Sequence, residues 1–260
     1  PEIIVPTSYT IIATANTGGT ITPAGSTTVE NGGFLIYTVT PDPGFKVADV
    51  LVDNVSVGAV STYTFSTVSA DHTITATFTP ITYSITATAG ANGSITPAGA
   101  ISVTHGAEAT YAIAPLAGYK IADVLVDSVS VGAVTSYTFS NIIANHTITA
   151  SFTPIVYTLT AAAGANGTVT PSGASNVNHG DSLTYTITPA TGFKVADVLV
   201  DDISVGAVTT YTFSTVTAAH SLTASFTPIV YTVTAAAGAN GTITPSGASN
   251  VNHGDSLTYT

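Results

Sequence analysis

Cysteine, methionine, tryptophan and arginine are all absent from the 260 residues, and the only lysines are Lys46, Lys120 and Lys194. Without cysteine there is no disulfide framework, thiolate zinc site, iron–sulfur cluster or cysteine nucleophile. Three lysines cannot neutralise a phosphate backbone, which excludes nucleic acid as a partner, and an anionic membrane surface falls for the same reason. Charged residues make up 7% of the chain, against about 25% in ordinary globular proteins. No uninterrupted apolar run approaches the roughly 18 residues of a membrane span, so no membrane insertion of this segment is expected. What is present is 14 acidic residues, a net charge of −11 and 45% hydrophobic residues. That hydrophobic share is enough for a core and argues against wholesale disorder. Threonine accounts for roughly a fifth of the chain, well above its ordinary share.

An internal repeat organises everything else. Tyr9, Tyr83, Tyr157 and Tyr231 open the phrases YTIIATANTGG, YSITATAGANG, YTLTAAAGANG and YTVTAAAGANG, at a constant 74-residue step. Gly44, Gly118 and Gly192 keep the same step, as do the three lysines, Tyr63, Tyr137 and Tyr211, and Phe78, Phe152 and Phe226. The chain therefore reads as repeat 1 at 9–82, repeat 2 at 83–156, repeat 3 at 157–230 and an incomplete repeat 4 at 231–260. Residues 1–8 read as the last-strand remnant of a preceding repeat or an N-terminal arm, because Pro6 stands one full step before Pro80. The sequence has the character of a processed chain or a window from a longer array. The run SGASNVNHGDSLTYT recurs at 172–186 and 246–260, a near-identity that repeat arrays tolerate.

Each unit reads as β structure. In repeat 3, Tyr157–Ala163 alternates apolar residues with threonine, and Asn166-Gly167 then predicts a tight hairpin into Thr168–Thr170. Leu183, Tyr185 and Ile187 alternate in the next strand. Phe193–Val200 is more continuously apolar, which predicts burial on both faces. Asp201-Asp202 predicts a turn into Ile203–Val205, and two further strands carry Tyr211 with Phe213 and Leu222, Ala224 with Phe226. No window shows a helical stripe. The expectation is an all-β tandem array of small domains, sandwich-like or β-grasp-like, of seven or so strands each. Joints such as Phe152-Thr153-Pro154-Ile155-Val156-Tyr157 leave almost no linker. In line, units of roughly 30 Å would form an elongated rod.

The phrases ITPAG, VNHGDSLTYTITPATGFKVADVLVD, SYTF and ANHTITASF resemble the divergent version of the internalin-type B-repeat, a bacterial extracellular repeat family. The resemblance covers nearly all of 9–260. It implies a secreted or surface-anchored protein whose repeats act as stalks, spacers or adhesive segments, and relatives that are β-grasp-like. It brings no catalytic residues.

Several side chains are candidates for chemistry. His72, His146 and His220 precede the last strand, and their companion changes from Asp71 to Asn145 to Ala219. A metal needs further ligands nearby, so a turn or edge hydrogen bond is the preferred reading. His105, His179 and His253 precede glycine where repeat 1 has Asn31, which predicts a turn position with unusual backbone angles. His179 with Asp181 is half a catalytic pair without a placed nucleophile, so no enzyme is expected. Asp49, Asp53, Asp123, Asp127, Asp197 and Asp201 are the most regular acids and the only candidates for calcium. An apolar triplet separates each pair, so the preferred roles are a turn-initiating Asp53 and an ion pair between Lys46 and Asp49. No other cofactor is expected. Tyr63/Phe65, Tyr137/Phe139 and Tyr211/Phe213 read as core before they read as a glycan platform. The functional expectation is a non-catalytic stalk, spacer or adhesin rod at a bacterial surface. A self-assembling filament whose copies complete one another, and a module for cell-wall or host glycan, are the alternatives. Partners are then neighbouring repeats, other copies of the chain, or glycan.

Overall fold

The structure is a computed structural model and describes residues 7–260. Most of the expected strand remnant at 1–8 therefore lies outside the described residues. Two compact units emerge, one holding repeat 1 and most of repeat 2, the other repeat 3 and the residues after it, with Leu116–Lys120 and the end of repeat 2 from Thr153 grouped in the second.

Repeat 1 contains eight strands: β1 (Ser8–Ala15), β2 (Gly19–Thr22), β3 (Gly25–Glu30), β4 (Leu35–Pro41), β5 (Phe45–Val52), β6 (Val55–Ser56), β7 (Thr62–Phe65) and β8 (His72–Pro80). They form a five-stranded sheet in the order β3-β1-β8-β5-β6 and a three-stranded sheet in the order β2-β4-β7. All pairings within repeat 1 are antiparallel except β1 with β8, which run parallel from Ile11↔His72 to Ala15↔Ala76. Repeats 2 and 3 reproduce both sheets and both orders. The two sheets close on one shared core as a sandwich does, the larger sheet has a parallel central pair, and no helix occurs among the described residues.

Period-two alternation decides what is buried. From the large sheet, Ile11, Ala13, Val29, Val50, Ile74, Ala76 and Phe78 point inward; from the small sheet, Ile21, Tyr37, Val39 and Phe65 meet them. Each fully buried aliphatic side chain contributes about 1.5–3 kcal/mol, and this core supplies the stability that a disulfide-free domain of this size needs. The opposite face of the small sheet explains the threonine content. In repeat 3 its outward positions are Thr168, Thr170, Thr184, Thr186, Thr188, Thr210 and Thr212, all exposed. Threonine suits a pleated, half-buried surface, and cross-strand hydroxyls pair at 2.8 Å between Thr184 and Thr212 and between Thr110 and Thr138.

Two expectations are corrected. Asn166-Gly167 does not close a hairpin: Val156–Ala163 pairs with Gly173–Asn178, while Gly167–Thr170 belongs to the other sheet. Asn166 does take a left-handed conformation (φ 70°), but the chain there arches between sheets. The glycine is needed because the Phe226 ring lies over it, and any Cβ at Gly167 would overlap that ring. The Phe193–Val200 strand is not buried on both faces either. A bulge leaves Ala196 unpaired between Val195↔Phe226 and Asp197↔Ser225. That extra residue shifts the phase, so Val195 and Val198 are both buried while Lys194 and Ala196 are exposed.

Candidate functional site

Two constellations recur in every full repeat. The first is a clasp inside the repeat. Asp53 and Asn54 both have positive φ (50° and 62°) and form the tight turn between β5 and β6. From that turn Asp53 Oδ1 accepts the Thr73 amide at 2.8 Å, and Oδ2 lies 2.7 Å from His72 Nδ1. The imidazole lies against Phe65, with ring centroids 4.9 Å apart. Asp127, His146 and Phe139 repeat the arrangement, as do Asp201, His220 and Phe213, with the same 2.7 Å contact. The Thr73 amide and then the His72 ring hold the Asp53 carboxyl below its ordinary range. For Asp201 the His220 hydrogen bond leads and the Ser221 amide follows. At Asp127 desolvation, the largest influence, raises the pKa, but His146 and the Thr147 amide together outweigh it. The clasp ties the β5–β6 hairpin to the start of β8.

The companion position has its own logic. Asp71 Oδ1 accepts the Thr10 amide at 2.7 Å, and Asn145 Oδ1 accepts the Ser84 amide at 2.8 Å. Asp and Asn interchange because either offers an oxygen; Ala219 in repeat 3 forgoes the contact.

The remaining acids fall in separate places. Asp49, Asp123 and Asp197 accept hydroxyl protons from Ser56, Ser130 and Ser204 at 2.6–2.7 Å. The ion pair expected between Lys46 and Asp49 is absent. Among the described residues the contacts between basic and acidic side chains are the three histidine–aspartate pairs. No three His, Asp or Glu side chains gather as a metal would require among those residues, and Asp49 and Asp53 are engaged with different partners. Phe65, Phe139 and Phe213 are buried, and Tyr63, Tyr137 and Tyr211 pack edge-on against them. A glycan platform would need those rings in solvent. Repeat 3 also carries a depression of about 300 Å³ lined by Ala162–Gly164, Leu199 and Thr223–Ser225; it holds no titratable group.

The second constellation joins successive repeats, and it centres on the other histidines. His105, His179 and His253 were expected at positions of unusual backbone angle. The structure gives that angle to the next residue instead: Gly106, Gly180 and Gly254 have φ of 76°, 85° and 85°. The histidines are free to face the preceding repeat. His105 lies over Gly44, where a Cβ would come within 2.9 Å of its Cδ2. Gly44 itself has φ 84°, so both its backbone and its neighbour require glycine there. The single residue between strands, Ile81, donates its amide to the Gly44 carbonyl at 2.8 Å and accepts from the His105 amide at 2.9 Å. The Tyr83 hydroxyl sits 3.4 Å from His105 Nδ1. In the second unit the same contacts link Gly118, Ile155 and His179, and again Gly192, Ile229 and His253. In repeat 1, Asn31 stands in place of histidine, and its amide donates to Thr7. The spacing of the glycines and of Tyr83, Tyr157 and Tyr231 was visible in sequence. The meeting of each glycine with a histidine from the following repeat was not, because those two partners lie far apart in the chain and belong to different modules.

Residues 9–82, 83–156 and 157–230 each match the divergent InlB B-repeat domain. No curated protein matches the chain. Among solved structures, the Bacillus anthracis TIE protein is similar over 84% of this chain at 12% identity and a TM-score of 0.43. The present chain spans 51% of that one. The pilus adhesin SpaC from Lactobacillus rhamnosus GG aligns over 86% of this chain and 43% of its own length, at 11% identity and a TM-score of 0.18. An I-band fragment from titin aligns over 84% of this chain and 95% of its own, at 8% identity and a TM-score of 0.15.

Proposed function

The chain belongs to the divergent InlB B-repeat family, and we propose that it is a non-catalytic structural segment of a bacterial surface or secreted protein, a stalk or spacer that sets reach. One observation carries this reading. Each repeat's last strand is separated from the next repeat's first by a single residue, Ile81, Ile155 or Ile229, whose amide and carbonyl are both bonded. A joint without slack transmits position. Support also comes from the family, whose members are bacterial extracellular repeats, and from polar groups that bond within strands and turns. The Nδ1 atoms of His72, His146 and His220 are committed to Asp53, Asp127 and Asp201, and Asp49, Asp123 and Asp197 to serine hydroxyls.

Excising residues 83–156 preserves the register, because Thr82 then precedes Tyr157 as it precedes Tyr83. Small-angle scattering should show the longest dimension falling by roughly 30 Å for one repeat, with the far-ultraviolet signal per residue unchanged. A longest dimension that does not change on excision would remove the spacer reading.

A further inference from the structure

We infer that each repeat is a load-bearing clamp that resists tension applied along the chain. The inference rests on strand pairing and the hydrogen bonds beside it, and it stands or falls separately from the spacer reading.

The chain comes into repeat 1 on β1 and leaves on β8, and these two strands are adjacent and parallel. Pulling the beginning of β1 away from the end of β8 therefore slides the strands past one another. Their five paired positions, Ile11↔His72 to Ala15↔Ala76, bear the load together and cannot open one at a time. The flanking ladders are sheared as well. β1 is held by β3 over six positions from Ser8↔Glu30 to Ala13↔Gly25, and β8 by β5 from Phe45↔Pro80 to Val52↔Ile74. Repeats 2 and 3 place their first and last strands in the same parallel contact, Thr82–Ala89 with His146–Pro154 and Val156–Ala163 with His220–Pro228.

Side chains extend this pairing at both ends. At the start, the Asp71 carboxylate accepts the Thr10 amide. At the far end, Asn16 bonds the backbone of Phe78 twice, accepting its amide at 2.7 Å and donating to its carbonyl at 3.3 Å. Between them Thr14 and Thr75 share a hydroxyl bond at 2.9 Å. Asn145 serves repeat 2 as Asp71 serves repeat 1. With one residue between the last strand of a repeat and the first strand of the next, tension passes from clamp to clamp without a compliant linker.

The test is single-molecule stretching of the whole chain by its ends, compared with the same chain pulled between Ser8→Cys and Glu30→Cys. Those two residues are exposed register partners in an antiparallel pair, so this second pull opens the β1–β3 ladder one bond at a time. The native chain has no cysteine to compete for attachment. End-to-end stretching is expected to give three discrete ruptures, each freeing up to about 240–270 Å of chain, at forces severalfold above those of the peeling pull. Equal forces in the two directions, or smooth extension without discrete ruptures, would overturn the inference. If the peeling pull also ruptures sharply but at the lower force, the directional claim is upheld.

Discussion

Residues 172–186 and 246–260 have the same sequence, SGASNVNHGDSLTYT, yet they do not fold alike. In repeat 3 the run contributes Gly173–Asn178 and then Leu183 onward to a second strand, with Tyr185 fully buried against Phe213. In the later copy, Gly247–Asn252 pairs with Val230–Ala235 in the same register as its counterpart, but no strand forms from Asp255 onward, although Thr260 exchanges both backbone bonds with Thr244 as Thr186 pairs with Thr170. Leu159 is 0% exposed while Val233, one repeat on, is 40% exposed. The hairpin and the junction contacts form from local sequence and from the preceding repeat. Burial and the second sheet require the rest of the repeat, because a two-stranded ladder has no partner face against which to exclude water.

The largest effect that would sharpen this contrast comes from matched truncations. Leu159→Ala removes a fully buried side chain and should cost about 2–5 kcal/mol, whereas Val233→Ala should stay within about 0.5 kcal/mol. Denaturant unfolding of each variant measures both, and equal costs would break the comparison.

Next come the junction glycines. Gly44→Ala forces an L side chain into a left-handed backbone and against the His105 ring. Gly58→Ala meets the same backbone cost, with φ 83° but open space around it. The left-handed penalty alone is about 1–2 kcal/mol, so Gly58→Ala should cost about that and Gly44→Ala clearly more. Hydrogen exchange should localise the excess to the turn at His105; matching costs would mean the ring contact contributes nothing.

The acid dependence of the clasp is smaller. Because the folded-state pKa of Asp201 lies below its unfolded value, its stabilising contribution is fully present above about pH 4 and is lost as pH falls through the depressed folded value. Asp201→Asn should therefore flatten the acid limb of melting temperature against pH for repeat 3 and leave the hairpin after residue 230 unaffected. An unchanged acid limb would show that the exposed pair contributes no measurable stability. The smallest effect is a gain. Ala219→Asn supplies repeat 3 with the oxygen that Asn145 gives repeat 2, worth about 0.5–1.5 kcal/mol in thermal unfolding.

Much of the fold was legible in the chain itself. Alternation placed Ile11, Tyr37, Ile74 and their counterparts inside, and Asp201-Asp202 was recognisable as a turn because two left-handed residues there have few substitutes. Asn166-Gly167 misled, since an asparagine–glycine pair records a left-handed step but not which sheet receives the next strand. The apolar run 193–200 misled because a one-residue bulge leaves no mark in composition. Of the candidate site, the turn aspartates and edge histidines were visible separately. Their pairing across the two strands that intervene, and the seating of His105 on Gly44, were not.

Sequence by itself determined the module, its 74-residue period, its all-β character and the absence of thiol and arginine chemistry. These follow from spacing and side-chain type, which are local properties. Only the tertiary structure decided that the first and last strands of a module lie parallel and adjacent, and that a histidine of one repeat closes over a glycine of the one before. Those are contacts between residues far apart in the chain, and they exist only when both sheets have closed on a shared core.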